Sequence, residues 1–433
     1  MEHEHLDDAA LERLLAVDRN EDQNRELFHL LAICPRCREA GSWLFDLHRK
    51  GALPALFGPV DVALARSRAE APGLWEELSP LDPEDRLVRV HADRRFVSWG
   101  LCDLVVRKSR HAAPEDILRA AVLADLAVHV AELMTEGEPF EEGWVYQLRA
   151  LAWGSLGNAR RVAGKLPEAE HCFEMSDTWW EAGTKEVEDA LGYEPLLLDL
   201  KASLRTDQRR FTEALTLLDR AAHLYLHGEP EHRDPHLAGR ALVKKAHALI
   251  EMGETESAIE ILKKANGWID PHRDPRLHLC LIHNLTDNLS KAGRYLEADA
   301  SLPELRALAE THGSRFDRIR LDWVEGRVAA GLGDTPRAHR LLSGVRQAFL
   351  AEENAYDAAL ATLDLVVPCL QEGKTAEVRA LAEEMMSVFR AQDVAREALA
   401  AWLLFHRAAV REAVTVELTR EVAASLHQAR TGA

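Results

Sequence analysis

Apolar residues recur along most of the chain at the three- and four-residue spacing of amphipathic α-helices. The alternation typical of β-strands never persists for more than a few residues. The pattern therefore predicts an all-α fold. A helix pair is expected at Phe96 to Arg110 and Pro114 to Glu132, and a closing helix at Arg396 to Leu426.

Between these two ends, a repeating unit is visible in the spacing of glycines and small residues. Gly253 is followed five positions later by Ala258, and the same gap separates Gly333 from Ala338. The small residues, which we call the marker residues, step by 45, 44, 40, 40 and 40 positions. They are Ala169, Ala214, Ala258, Ala298, Ala338 and Val378. A glycine between two helices supplies the left-handed turn that ends the first, so each unit is expected to be a helical hairpin. The copy at Ala214 has Arg209 in place of the glycine.

One copy carries a more specific motif. Trp153, Leu156 and Gly157, followed by Ala169 and Phe173, fit Trp-x2-Leu-Gly and Ala-x3-Phe, and here the chain resembles the tetratricopeptide repeat family. The steps of 40 or more exceed the usual period of about 34. The resemblance extends over roughly residues 94–426 and implies a right-handed α-solenoid of helical hairpins with a shared core.

Two further features concern helix ends. The motif His-Arg-Asp-Pro occurs at residues 232–235 and again at 272–275, and we interpret its Asp as a helix cap and its Pro as the first helical residue. The last full repeat presents apolar residues where others are polar, and we expect the C-terminal helix to cover them. These residues are Leu360, Leu363, Val367 and Leu370.

The first 50 residues have a different character. His29, Cys34 and Cys37 place three soft metal ligands within nine residues, and Cys-x2-Cys is a common half of a tetrahedral zinc site. At this point the chain resembles the zinc-binding anti-sigma factor family, whose pattern is His-x3-Cys-x2-Cys after an upstream His or Cys. One departure is that four residues separate His29 from Cys34.

The resemblance implies that His29, Cys34 and Cys37 bind zinc, with His3 or His5 as the fourth ligand. The alternative interpretation is a helix turn whose cysteine pair packs inward without a metal. We accordingly divide the chain into a zinc-binding helical module (1–50), a connecting segment (51–93) and a tetratricopeptide-like solenoid with a C-terminal capping helix (94–433).

Composition and charge argue against several classes of function. Of 433 residues, 72 are Asp or Glu and 53 are Lys or Arg, so the net charge of −19 argues against broad nucleic-acid binding. No segment approaches eighteen consecutive apolar residues, and the start MEHEHLDD lacks the order of a signal peptide. We therefore expect a cytoplasmic protein that does not contact membranes.

Catalytic signatures are absent from the sequence. It contains no phosphate-binding loop of the Walker type, no Gly-x-Ser-x-Gly and no His-Glu-x2-His. A hydrolase using His3, His5 and His29 would need an open zinc position and a base, for which only Glu4 is nearby. We expect a non-enzymatic protein.

In the tetratricopeptide family the first helix of each repeat lines a binding groove. Transferred by frame, the corresponding residues here are Asn158, Arg161, Asp199, Arg240, His247, His283, Asp287, Arg320, Trp323 and Arg327. This lining suits a protein or peptide that carries carboxylates, with Trp323 packing an apolar side chain.

The combined hypothesis is a regulator or adaptor that binds a protein or peptide in the groove, while the zinc module contacts a transcription factor, for example a sigma factor. The alternative is a plain repeat scaffold without metal that assembles with a separate enzyme.

Overall fold

The structure is a computed structural model that describes residues 6, 10–11, 37, 41–43, 59–113, 115–135, 140, 142–186, 192–228, 233–391 and 395–431. Within these ranges it contains eighteen α-helices, one 3₁₀ helix and no β-strand, which confirms the all-α prediction. The α-helices are α1 (Pro59–Leu78), α2 (Pro83–Ala92), α3 (Trp99–Ala112), α4 (Ile117–Leu133), α5 (Glu142–Val162), α6 (Leu166–Glu186), α7 (Glu194–Asp207), α8 (Phe211–His227), α9 (Pro235–Glu251), α10 (Thr255–Asn266), α11 (Pro275–Lys291), α12 (Tyr295–His312), α13 (Arg315–Gly331), α14 (Thr335–Ala351), α15 (Ala355–Gln371), α16 (Thr375–Ala391), α17 (Arg396–Val410) and α18 (Val416–Thr431). The 3₁₀ helix is Arg94–Phe96.

The chain forms two compact units, Met1–Ala248 and Leu249–Ala433. In the first unit α3 packs on α4, α5 on α6 and α7 on α8; in the second α11 packs on α12, α13 on α14 and α15 on α16. Short connections make each of these pairs a hairpin, as the repeat predicted. None of the described helices combines the length and the apolar character needed to cross a membrane.

The hairpin turns confirm the glycine pattern. The five turn glycines have φ between 70° and 83°, and Arg209 adopts φ 60° at the equivalent position. They are Gly164, Gly253, Gly293, Gly333 and Gly373. In the last of these turns, the N–H of Lys374 donates to the carbonyl of Cys369 (2.9 Å), a bond that ends the helix in a Schellman motif.

The marker residues are the points where the two helices of a hairpin approach. All six are buried, with exposures of 0% or 1%. A second close approach explains the Leu-Gly pair of the motif, because a Cβ at Gly157 would lie only 2.9 Å from the ring of Phe173. Small residues are therefore required on both sides of the interface.

The repeated His-Arg-Asp-Pro motif acts as a helix start, as predicted. Asp234 and Asp274 accept hydrogen bonds from the N–H groups of Leu237 (3.2 Å) and Leu277 (2.9 Å). Pro235 begins α9, and Pro275 begins α11.

The C-terminal end differs from the prediction of one closing helix from Arg396 to Leu426. That prediction is wrong, because the chain turns at Glu412 (φ 54°) and forms the two helices α17 and α18, which pack together. The physical reason is local: the hydroxyl of Thr415 accepts the N–H of Leu418 and starts a new helix. The predicted covering of the last repeat is confirmed, since Leu426 of α18 is buried in the same apolar core as Leu360 and Leu363 of α15.

The segment assigned as a connection, 51–93, contains α1 and α2 from residue 59 onward. α1 packs on α3, and α2 packs on α4. Leu78 and Val90 are fully buried beside Phe96 and Trp99. These helices are therefore part of the core that also holds the first hairpins.

Candidate binding faces of the first helices

The predicted partner-binding residues lie on the first helices of successive hairpins. These helices contact one another directly within each unit: α5 contacts α7, and α13 contacts both α11 and α15. Side chains on adjacent first helices are consequently close enough to form rows of polar contacts.

In the N-terminal unit, a buried carboxylate on α7 meets two cations of α9. Asp199, whose side chain is 2% exposed, lies 2.9 Å from Nζ of Lys244 and 3.3 Å from the guanidinium of Arg240. Lys244 also donates to the hydroxyl of Ser203 at 3.1 Å. We call Asp199, Ser203, Arg240 and Lys244 the Asp199 cluster.

A third cation, Arg110 of α3, acts on the Asp199 cluster. Burial, followed by repulsion from Arg240, lowers the pKa of the Arg110 guanidinium, and Asp199 opposes that effect. Asp103 also acts on Arg110, but its carboxylate already pairs with Arg107 at 2.6 Å. Arg110 and Arg240 therefore repel one another electrostatically, and Asp199 attracts both.

Burial and the neighbouring charges shift the pKa values of Asp199 and Lys244. Burial favours the neutral form of Asp199, but Lys244 and Arg240 outweigh it and hold the pKa of the carboxyl below its usual value. Burial lowers the pKa of Lys244, and Asp199 only partly opposes this. Within the described residues, Oδ1 of Asp199 and the hydroxyl of Tyr225 are buried without a hydrogen-bond partner.

Asn158 and Arg161 form a neighbouring contact between α5 and α7. The guanidinium of Arg161 lies 2.7 Å from Asp207 and donates to Oδ1 of Asn158 at 3.2 Å. Two predicted residues are thus brought together and stabilise one another.

In the C-terminal unit, the corresponding row contains Asp287, Trp323, Arg327 and Asp364, which we call the Arg327 cluster. Arg327 of α13 forms an ion pair with Asp287 of α11 and lies 3.6 Å from Asp364 of α15. The indole Nε1 of Trp323 donates to Asp364 at 2.7 Å. Lys291 approaches Asp287 at 2.9 Å, so two cations balance two carboxylates.

The pKa values of the two carboxylates in the Arg327 cluster are shifted in opposite directions. Burial raises the pKa of Asp364, with only partial opposition from Arg327. Burial acts in the same direction on Asp287, but Arg327 and Lys291 outweigh it and hold its pKa far below the usual range. The cluster keeps Asp287 ionised at neutral pH.

His283, His247 and Arg320 occupy different surroundings. Nε2 of His283 is buried without a hydrogen-bond partner among the described residues, and burial lowers the pKa of its imidazole. His247 and Arg320 are exposed on α9 and α13.

Frame-based reasoning missed Lys244 and Asp364, although the sequence contains a signal for both. Lys244 lies one helical turn after Arg240, and Asp364 is a carboxylate in the middle of the largely apolar α15. Several pairs in the two clusters also span one repeat: the separation is 40 for Asp287 and Arg327, 41 for Trp323 and Asp364, and 41 for Asp199 and Arg240.

Of the predicted zinc ligands, only Cys37 lies within the described residues; His3, His5, His29 and Cys34 lie outside them. Cys37 is buried, and its sulfur accepts a hydrogen bond from the N–H of Leu6 at 3.3 Å. Leu6 directly follows His5 in the sequence.

No family model matches this chain, and no curated protein matches it. Among solved structures, it is similar to a Rap protein complexed with Competence and Sporulation Factor, with a TM-score of 0.51, 14% identity, and coverage of 76% of this chain and 87% of that one. It is also similar to nearly identical TPR-like repeats of a putative kinesin light chain from Podospora anserina, with a TM-score of 0.33, 18% identity, and coverage of 49% of this chain and 97% of that one. The likeness to the Rap protein supports a tetratricopeptide-like helical-repeat fold.

Proposed function

We propose that this protein is a non-enzymatic adaptor or regulator that binds a protein or peptide through its first helices, and that the Asp199 cluster binds a carboxylate of that partner. The observation that carries the proposal is the pair of partly exposed cations, Arg240 and Lys244, held beside the buried Asp199. The Rap protein of similar fold was crystallised in complex with Competence and Sporulation Factor, which supports a binding role.

The chemistry of the cluster suits a peptide. A carboxylate placed between Arg240 and Lys244 would form charge-assisted hydrogen bonds, which are about twice as strong as neutral ones. It would also reduce the repulsion between cations in a poorly solvated site. The side chains of Arg240 and Lys244 are 25% and 34% exposed, so a partner can reach both cations.

The proposal is tested by selecting ligands from a random-sequence peptide library on the immobilised full-length protein. We expect the selected peptides to be enriched in Asp, Glu or a free C-terminal carboxylate. Their affinity should fall about tenfold or more in Lys244→Gln, the loss of one charge-assisted hydrogen bond.

A matched control lies next in the chain. Lys245 is on the same helix but pairs with Asp219 of α8 at 2.6 Å, so Lys245→Gln should leave peptide affinity unchanged. Equal losses in the two variants, or selected peptides without carboxylates, would contradict the proposal.

We further propose that the N-terminal module binds zinc through His29, Cys34, Cys37 and His3 or His5, and contacts a transcription factor such as a sigma factor. Support comes from Cys37, because a buried sulfur that accepts a backbone N–H is typical of a metal-bound thiolate and its surrounding hydrogen bonds.

Metal analysis separates this proposal from the plain scaffold. The expected result is that Cys34→Ser/Cys37→Ser binds one zinc per chain fewer than the wild type, with helicity retained. A zinc-loaded wild type that captures no polymerase-associated protein would remove the sigma-factor part, while an unchanged metal content in the double variant would remove the zinc part.

A further inference from the structure

Three potential metal ligands meet in the C-terminal unit, far from the N-terminal cysteines in sequence. Nε2 of His339 on α14 lies 2.8 Å from a carboxylate oxygen of Glu377 on α16. The sulfur of Cys369 on α15 completes the group, and the three ligand atoms all lie within 4.8 Å of one another. Each residue comes from a different helix.

The three positions stand at fixed offsets from two successive marker residues. His339 follows the marker Ala338, Glu377 precedes the marker Val378, and Cys369 stands nine residues before Val378. The three positions therefore recur wherever two successive marker residues are compared.

At the equivalent positions of the N-terminal unit the residues are Glu170, Arg205 and Glu213. The guanidinium of Arg205, in the position of Cys369, donates to Glu170 at 2.8 Å and lies 3.3 Å from Glu213. One repeat earlier, Arg160 in the same position lies 3.1 Å from Asp125. In these two contacts, a cation from the end of the first helix joins the neighbouring second helices.

In the last repeat, Cys369 occupies the position of that cation, and the side chains of His339 and Glu377 lie beside it. We propose that a zinc ion binds there, coordinated by Nε2 of His339, the thiolate of Cys369 and the carboxylate of Glu377, with water as the fourth ligand. Nitrogen, sulfur and carboxylate oxygen at about 2.0–2.3 Å are the ligands that zinc prefers. The ion would replace the guanidinium of the earlier repeats.

The backbone holds two of the ligands in place. Cys369 lies in the last turn of α15, where its carbonyl accepts the N–H of Lys374 at 2.9 Å. The N–H of Glu377 donates to the carbonyl of Lys374 at 3.1 Å. Gly373 makes the left-handed turn between them at φ 70°. The spacing of the thiol and the carboxylate is thus set by the hairpin turn.

A metal ion can reach the site from solvent past His339 and Glu377. The side chains of His339 and Glu377 are 32% and 37% exposed, so an ion can enter and their hydrogen bond can open with side-chain rotation alone. Without a metal, burial raises the pKa of the Cys369 thiol to about 11, so zinc binding must release its proton.

The test uses the full-length chain in a Cys34→Ser/Cys37→Ser background, which removes the N-terminal cysteines. Cobalt(II) is titrated as a probe, because a thiolate ligand gives a near-ultraviolet charge-transfer band, and zinc is then added in competition. We expect one equivalent of cobalt to produce the band and zinc to abolish it.

Variants identify the ligands. Cys369→Ser should abolish the band, and His339→Gln or Glu377→Gln should weaken zinc binding by at least about tenfold. His278→Gln is the control, because His278 lies 3.4 Å from Glu304 in another histidine–carboxylate pair of the same unit.

The proposal is overturned by the absence of a band in the background protein, by a band that persists in Cys369→Ser, or by equal effects of His339→Gln and His278→Gln. If Cys369→Ser loses helicity, the zinc affinities of His339→Gln and Glu377→Gln test the proposal instead, since neither variant removes a core side chain. The site is independent of the proposed peptide binding, so either can fail alone.

Discussion

Arg327 and Asp287 form an ion pair between α13 and α11 in which both side chains are less than one-fifth exposed, at 18% and 17%. The same guanidinium lies 3.6 Å from Asp364 of α15 and over the ring of Trp323, 5.5 Å from its centroid. The guanidinium of Arg327 therefore connects the three consecutive first helices α11, α13 and α15. It compensates one carboxylate on each of the two helices that flank α13.

Removal of this cation should destabilise the C-terminal unit. Arg327→Met removes the partner that the partly exposed Asp287 and Asp364 share, and we expect the free energy of unfolding to fall by about 1–3 kcal/mol in urea titrations. Arg320→Met on the same helix is the control, since Arg320 is exposed and should change stability by less than about 0.5 kcal/mol. Similar losses in the two variants would contradict a special role for Arg327.

The turn at Arg209 offers a substitution that should stabilise the protein. A non-glycine residue at φ 60° is strained by about 1–2 kcal/mol, whereas glycine adopts this conformation freely. Glycine also gains entropy in the unfolded chain, worth about 0.4–1 kcal/mol, so Arg209→Gly should raise the free energy of unfolding by about 0.5–1 kcal/mol.

The adjacent residue provides the control for that measurement. Arg210 has φ −86° and lies 2.6 Å from Glu213, so Arg210→Gly should destabilise the protein. A loss of stability in Arg209→Gly would show that the packing of its guanidinium over Phe211 (5.7 Å) outweighs the backbone strain.

The sequence predicts the hairpins well because their signals are local. Gly333 must adopt a left-handed turn, Ala338 must allow two helices to approach, and Asp274 must satisfy N–H groups at a helix start. These requirements restrict residue type at fixed offsets, so each leaves a visible trace in the repeat.

Partner choice between helices is harder to predict. The frame placed Asp199 and Arg327 on the binding face as groups available to a partner, whereas both are engaged within the protein. Separations of 40 or 41 residues, close to the repeat steps of 40 to 45, would have indicated which side chains meet, but a list of single positions does not use them. The break at Glu412 lacks the glycine that marks five of the hairpin turns, so the sequence predicts one long closing helix there.

Stability in acid should depend on Asp317, which caps α13 with Ser314 and lies 2.6 Å from Arg276 of α11. Burial favours its neutral form, but the hydrogen bonds from Arg276 and Ser314 prevail and lower the pKa of the carboxyl from 3.8 to about 2. A depressed pKa in the folded state stabilises the protein above the unfolded value, and this contribution is lost as the pH falls from about 4 to about 2.

Urea midpoints of the wild type and Asp317→Asn, measured between pH 2 and pH 6, test this dependence. The wild type should have the higher midpoint at pH 6, and the difference should shrink steadily below pH 4. Arg276→Gln should raise the pKa of Asp317 and move this loss to higher pH. A difference between wild type and Asp317→Asn that stays constant over the whole range would rule out the carboxylate as its source.

The apolar end of the C-terminal unit should depend on α18 for its stability. Leu426 is fully buried in a core that includes Trp402 and Phe405, and its truncation leaves a cavity that neighbouring side chains fill only in part. We expect Leu426→Ala to lower the free energy of unfolding by about 2–5 kcal/mol. Leu404 of α17 is 61% exposed, so Leu404→Ala should change it by less than about 0.5 kcal/mol. Equal and small effects in both variants would mean that α18 does not cover the core, and the last repeat would then present a free apolar surface.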